Sequence, residues 1–164
     1  MMARLLYWLT GFLPCRIIND GTTPYLERYY LGTLFGWRFY LHQFVGSDPD
    51  RGLHDHPWRK AFSLILSGWY FEQTRMGLRE VNWFNSLTGD TFHRVVLGVN
   101  PCWTLFMHTA ENVKPWGFWR DRNAPEIING EAVFEPYQYT REGNQRDWWL
   151  TAPTGRAMRE GGAA

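Results

Sequence analysis

Gly52-Leu53-His54-Asp55-His56-Pro57-Trp58 carries two histidines two residues apart, directly after the turn-rich run Gly46-Ser47-Asp48-Pro49-Asp50-Arg51-Gly52. In an extended segment side chains alternate, so His54 and His56 share one face while Asp55 points to the other. Two imidazoles held close by the backbone are the usual start of a metal site, because part of the entropy cost of assembling ligands is met by folding. A third ligand has to come from elsewhere. His93, in Leu87-Thr88-Gly89-Asp90-Thr91-Phe92-His93-Arg94-Val95, opens a strand after a Gly-Asp turn. Its 37-residue separation from His56 suits two or three intervening strands.

On both sides of this stretch the chain reads as short strands. Tyr25 to Leu31, Trp37 to Phe44, Ala61 to Leu66, Trp69 to Thr74, Leu78 to Phe84, Thr91 to Leu97 and Cys102 to Thr109 are rich in aromatic and branched residues. Gly, Pro and Asn separate them, and strands about every 8 to 12 residues predict an all-β barrel or sandwich. Nowhere does a convincing 3.6-residue apolar period run long enough for a major helix. The barrel is expected over residues 25–119, with residues 1–24 as a short helix or arm packed on it. Charges, prolines and glycines dominate after Arg120, which predicts a wrap on the same domain over 120–149 and a flexible tail over 150–164.

The chain has 164 residues, 18% of them aromatic, and a formal net charge of +1. Such a length fits one domain, and the ring content excludes a disordered chain. A near-zero charge argues against a domain that coats nucleic acid by its phosphates. Cys15 and Cys102 make no disulfide framework and sit among apolar neighbours, so they read as small buried hydrophobes in a cytoplasmic protein. The N-terminal apolar run, Leu5 to Leu13, is interrupted by Thr10 and Gly11, lacks a small-x-small cleavage site, and is far short of the roughly 20 residues that span a membrane. The expected partners are therefore a small-molecule ligand and a second copy in a homodimer, with neither nucleic acid nor membrane involved.

These blocks resemble the cupins, whose first motif is built on His-x-His and whose second supplies a later histidine after a Gly-containing turn. The fuller pattern is similar to short bacterial and bacteriophage cupin-like proteins of unassigned function. It comprises Ser47 to Trp58, Ser63 to Leu66, Phe92 to Val95, Trp103 to Phe106 and Trp116 to Trp119. The resemblance implies a double-stranded β-helix, or jelly-roll, barrel with His54, His56 and His93 as metal ligands. Cupins commonly place a further glutamate ligand four or five residues after the second histidine, where this chain has Lys60 and Ala61. A site of three histidines without glutamate resembles the cysteine-dioxygenase branch, which implies Fe(II), with Zn, Mn or Ni as alternatives. Glu72 and His108 are the reserve ligands.

Neutral ligands leave the ion's charge uncancelled and coordination positions open, a state suited to a small anionic molecule and to oxygenase chemistry. Arg28, Arg38, Tyr40, Trp58, Tyr70 and Trp103, with Phe92 and Phe106, are the candidate pocket residues, and an inward arginine would clamp a carboxylate or phosphate. The expected function is a metal-dependent oxygenase acting on a small polar or anionic molecule. One alternative is a non-catalytic cupin that binds a small molecule or a partner protein, with Trp116 to Trp119 as the docking surface. A redox-inert isomerase or hydrolase is the other.

Overall fold

Phe35 and Gly36 both have positive φ, 49° and 77°, the twist that lets a two-residue loop join adjacent strands. That hairpin links β2 (Pro24–Leu34) to β3 (Trp37–Phe44) and sets Arg28 opposite His42. In the computed structural model, which describes residues 1–98, 101–120, 133–137 and 147–161, the hairpin belongs to a six-stranded antiparallel sheet. Its other members are β1 (Cys15–Asn19), β5 (Lys60–Ser67), β8 (Phe84–Thr88) and β10 (Cys102–Thr109), in the order β1-β2-β3-β10-β5-β8.

Two three-stranded sheets make the facing wall. One is β12-β11-β4, from β4 (Leu53–His54), β11 (Gly117–Arg120) and β12 (Val133–Pro136). The other is β7-β6-β9, from β6 (Tyr70–Thr74), β7 (Gly77–Val81) and β9 (Arg94–Leu97). An antiparallel bridge between His54 and His93 stitches these two sheets together. Closing strands this way, all-antiparallel and in two facing sheets, is the jelly-roll architecture.

Strand alternation divides the interior into layers. Leu26, Phe44, Ile65, Tyr70, Val81, Val95 and Cys102 fill one end of the barrel. Tyr40, Trp58, Ala61, Leu87, Phe106 and Trp148 fill the other. The buried polar residues His42, Ser63, Glu72, Asn85, His93 and Thr104 belong to neither cluster. On the outer face of the large sheet, α1 (Met2–Thr10) packs with Leu6 against Cys15, Tyr29, Leu41 and Trp103.

Two expectations are corrected. Leu78 to Phe84 is not one strand: it turns at Asn82-Trp83, and the following β8 pairs with β5 in the other sheet. The segment expected as a flexible tail carries α2 (Gly155–Gly161), which leans on the start of β1. Its anchor is Met158 on the Leu6 cluster and one arginine, too little apolar content to announce it. Arg159 donates to the Tyr7 carbonyl at 2.8 Å, the Thr10 hydroxyl at 2.7 Å and the Tyr29 hydroxyl at 2.9 Å. Most of the 120–149 wrap lies outside the described residues. Its described part supplies β12 and a 3₁₀ turn at Trp148–Leu150 that covers the Tyr40 end of the barrel.

Candidate metal centre

His54 and His93 exchange both backbone hydrogen bonds at 2.9 Å, which sets their side chains side by side with ring centroids 4.9 Å apart. His56 returns to the same face two residues on, and its N–H donates to the Gly89 carbonyl at 3.2 Å. One ring nitrogen from each of the three lies within 4.8 Å of the others, and the Nε2 atoms of His56 and His93 are 2.8 Å apart. Nitrogens that close either share a proton or jointly face a cation. The Gly-Asp turn is built to this spot: a Cβ on Gly89 would stand 2.3 Å from the Trp58 carbonyl oxygen, a backbone clash that only glycine avoids. Asp55 points the other way, is 1% exposed, and accepts from the Gly117 N–H and the Lys114 ammonium, both at 2.8 Å. Lys114 also reaches Asp90 at 2.6 Å, so one lysine ties the His-Asp-His segment to the turn that precedes His93.

Glu72 stands behind His93. Its Oε1 faces His93 Nδ1 at 3.0 Å and accepts from Asn85 Nδ2 at 2.7 Å, while Oε2 accepts from Arg79. Burial by itself would raise this carboxyl, but the bonds from His93, Asn85 and Arg79 outweigh it and bring the pKa to about 2. An ionised carboxylate can only accept, so His93 Nδ1 donates to it and Nε2 is the nitrogen turned to the site. Burial, then the neighbouring histidine, holds His54 and His56 well below the usual imidazole range. They are neutral at physiological pH, the form that ligates a metal. Asp48, whose carboxyl burial raises, accepts from Val95 N–H at 2.7 Å and lies 4.0 Å from His54 Nδ1. The donor set therefore fits a divalent ion: three imidazoles, two of them held neutral by burial and the third oriented by a carboxylate.

The ring of His56 continues into the barrel as a stack. Trp58 lies 4.0 Å from His56 and 4.5 Å from His108, and His108 lies 5.5 Å from Tyr40 (centroid distances), all within 23° of parallel. On the neighbouring strands Arg28 Nε donates to His42 Nε2 at 3.1 Å, and its guanidinium sits 5.5 Å over Tyr40. Among the described residues no carboxylate lies within ion-pair distance of Arg28. Its charge is near enough to contribute to the depressed proton affinity of His56, His42 and His108. The Thr104 hydroxyl, opposite His42 in the register, is buried without a hydrogen-bond partner.

The structure brings together His54, His56 and His93, with Trp58 on the inner side. Arg28 and Tyr40 lie further into the same interior. Several expectations need revision. Glu72 faces inward, yet its oxygens are taken by His93, Asn85 and Arg79, so it orients a ligand instead of adding one. His108 bonds through Nδ1 to the Thr109 carbonyl at 2.8 Å and stands on the far side of Trp58 from the three rings. Trp103 is on the outer face of the sheet, stacked 6.1 Å from Tyr29 beneath α1, and walls no pocket. Tyr70 backs the Glu72 network through Asn85. Arg38 leaves the site for the Trp149 ring, 5.0 Å away.

Phe92 packs on Trp119 and Phe134, whereas Phe106 stacks 4.7 Å from His42. Trp116 to Trp119 is not an exposed docking block: Phe118 is buried, and Trp116 and Phe118 lie 6.4 and 6.3 Å from His54 as part of its wall. Lys60 is exposed and Ala61 is core, so no carboxylate replaces the one that cupins commonly have there. Both cysteines are buried with their thiols pushed up to about 12 by burial.

Asn85, Arg79, Asp48 and Thr104 went unnoticed in the sequence. The two-residue turn at Arg75-Met76 pairs Thr74 with Gly77 and so sets Glu72 opposite Arg79.

No protein-family model matches the sequence, and no curated protein matches it. Solved structures do resemble it. A cupin-2 domain protein of Rhodospirillum rubrum aligns over 62% of this chain and 72% of its own, at 16% identity and a TM-score of 0.50. A cupin-like protein of Thermotoga maritima covers 65% of this chain and 86% of its own, at 15% identity and TM-score 0.52. A cupin 2 conserved barrel domain protein of Rhodopseudomonas palustris covers 68% and 78%, at 11% identity and TM-score 0.52. At these identities the likeness is one of fold, and the fold is that of the cupin superfamily. This chain has that barrel fold, and its three-histidine group could hold a divalent metal ion.

Proposed function

We propose that this chain is a metal-dependent oxygenase that takes a small anionic molecule into the barrel. The observation that carries the reading is the pairing of a ligand set without a carboxylate with an arginine without one. His54, His56 and His93 contribute no negative charge to the ion they would hold, and Arg28 faces the same interior with no acidic partner among the described residues. A bound anion would answer both. Bound there, Fe(II) would supply oxygen activation, and a redox-inert ion would instead polarise a carbonyl or activate water.

The chain's own residues do the rest. Glu72 keeps His93 in the tautomer that ligates, and Asp55 with Lys114 keeps His54 and His56 on one face. His42 holds Arg28 by Nε, leaving the guanidinium's two terminal nitrogens for a carboxylate or phosphate, with the Thr104 hydroxyl as a further donor. Trp58, Phe106 and the Trp148 turn exclude water from that end of the barrel.

Elemental analysis of the purified protein tests this reading. Near-stoichiometric iron, lost when His54 and His56 become alanine, is the expected result. Zinc alone would move the chemistry to the redox-inert class, and metal-free protein of full stability would refute a metal role altogether.

A further inference from the structure

The outward face of α1 is apolar. Over Met2 to Phe12, at 3.6 residues per turn, Ala3, Leu6, Thr10 and Leu13 share the arc that packs on the barrel, whereas Met2, Leu5, Trp8, Leu9 and Phe12 fall in a separate arc of about 120°. Those five are between 40% and 57% exposed, where a surface helix of a soluble domain ordinarily carries charge. Contiguous exposed apolar side chains of this kind mark a contact surface.

The rim of the patch is basic. Residues 1–12 contain Arg4 and no acidic residue. The adjacent α2 adds Arg156, 5.0 Å over the Phe12 ring, and Arg159, over Tyr7, against the single acid Glu160. Nine residues of helix cannot cross a bilayer, and no described helix is long and apolar enough to do so. A convex apolar ridge with two aromatic rings and flanking arginines has the chemistry of a helix lying in the headgroup region of an anionic lipid surface.

We propose that α1, with the arginines of α2, docks this protein on an anionic lipid surface. Charge decides against a second copy on the same face. A two-fold dimer there would bring two arginine rims together with only Glu160, and Glu27 already held by the Tyr29 hydroxyl beside Arg159, to answer them, whereas anionic headgroups complement the rim. The ridge would enter the interface with Trp8 and Phe12 and leave Arg4 and Arg156 at the phosphates. This surface is on the outer side of the sheet, away from the three histidines, so the proposal stands apart from the reading of the metal centre.

Co-sedimentation of the full chain with vesicles tests it, comparing pure phosphatidylcholine with phosphatidylcholine carrying about 30% phosphatidylglycerol. Binding to the anionic vesicles is expected, weakening as salt rises from about 50 to about 500 mM. Trp8→Glu with Phe12→Glu should lower the apparent affinity by at least ~10-fold, and Arg4→Glu with Arg156→Glu should do so selectively for anionic vesicles. All four positions are exposed, and unchanged thermal unfolding confirms that each variant is folded. Failure to bind anionic vesicles at low salt, or binding indifferent to Trp8 and Phe12, overturns the proposal. So does a dimer in light scattering that Trp8→Glu dissociates while vesicles are ignored.

Discussion

Acidification should unfold this protein steeply, and the barrel interior sets the slope. His42, His54, His56 and His108 are held below the usual imidazole range, first by burial, with His108 brought down to about 3. The folded chain keeps all four neutral at mildly acidic pH, while the unfolded chain protonates each near pH 6.5. The unfolded state therefore binds more protons, and stability falls as pH drops below about 6.5. Each histidine contributes up to about 1.4 kcal/mol per pH unit, so four give a limiting slope of about 5 kcal/mol per unit. From pH 7 to pH 5 the loss is about 2 kcal/mol per histidine, or about 7 to 8 kcal/mol in all, comparable with the whole stability of an ordinary domain.

Asp48, raised by burial, has the opposite sign, but it acts only towards the carboxylate range. Urea unfolding of chelator-treated protein at about pH 7, 6 and 5, followed by tryptophan fluorescence, measures the slope. His108→Phe keeps a ring between Trp58 and Tyr40 and removes one titration, so the slope should fall by about a quarter. A stability that changes by less than about 2 kcal/mol over that range, or a slope that His108→Phe leaves alone, would refute the picture of a barrel lined by neutral histidines.

The other outcomes concern the support of the site. Glu72→Gln replaces an acceptor with an amide whose NH₂ must face either His93 or the Arg79 guanidinium. Metal affinity, measured by chelator competition, should fall about 10- to 100-fold with the fold retained. Gly89→Ala drives a Cβ into the Trp58 carbonyl and displaces His56, so both urea stability and metal stoichiometry should drop. Asp55→Ala leaves the Gly117 N–H and Lys114 without their buried acceptor, a loss of about 3 kcal/mol or more in the same unfolding assay. Arg28→Met should abolish stabilisation by added small carboxylates or phosphates in thermal shift while leaving metal content unchanged. Retained ligand stabilisation in that variant counts against the anion role given to Arg28.

Local rules carried the sequence a definite distance. Period-two alternation put His54 and His56 on one face with Asp55 opposed, and glycine and proline punctuation marked most strands of the large sheet. The Gly-Asp turn before His93 identified the third ring, because backbone chemistry at a turn is a short-range matter. The same rules failed where parity had to be converted into an inside and an outside. Trp103 and Thr104 are adjacent on β10, and nothing local says that the tryptophan lies beneath α1 and the threonine in the barrel.

Pairing across long separations was equally hidden. Glu72 meets His93 only because the jelly roll makes neighbours of β6 and β9. The helix at Gly155–Gly161 shows the same limit: Arg159 reaches residues 7, 10 and 29, Met158 packs on the Leu6 cluster and the helix's first backbone N–H groups bond to Leu13 and Gly11, all pairings invisible to composition. The sequence alone singled out the three histidines that could hold a metal, since two of them stand two residues apart and the third follows a Gly-Asp turn. Tertiary structure decided which side chains orient that set, which face the interior, and which apolar residues remain outside, because each depends on strand order and closure instead of on local alternation.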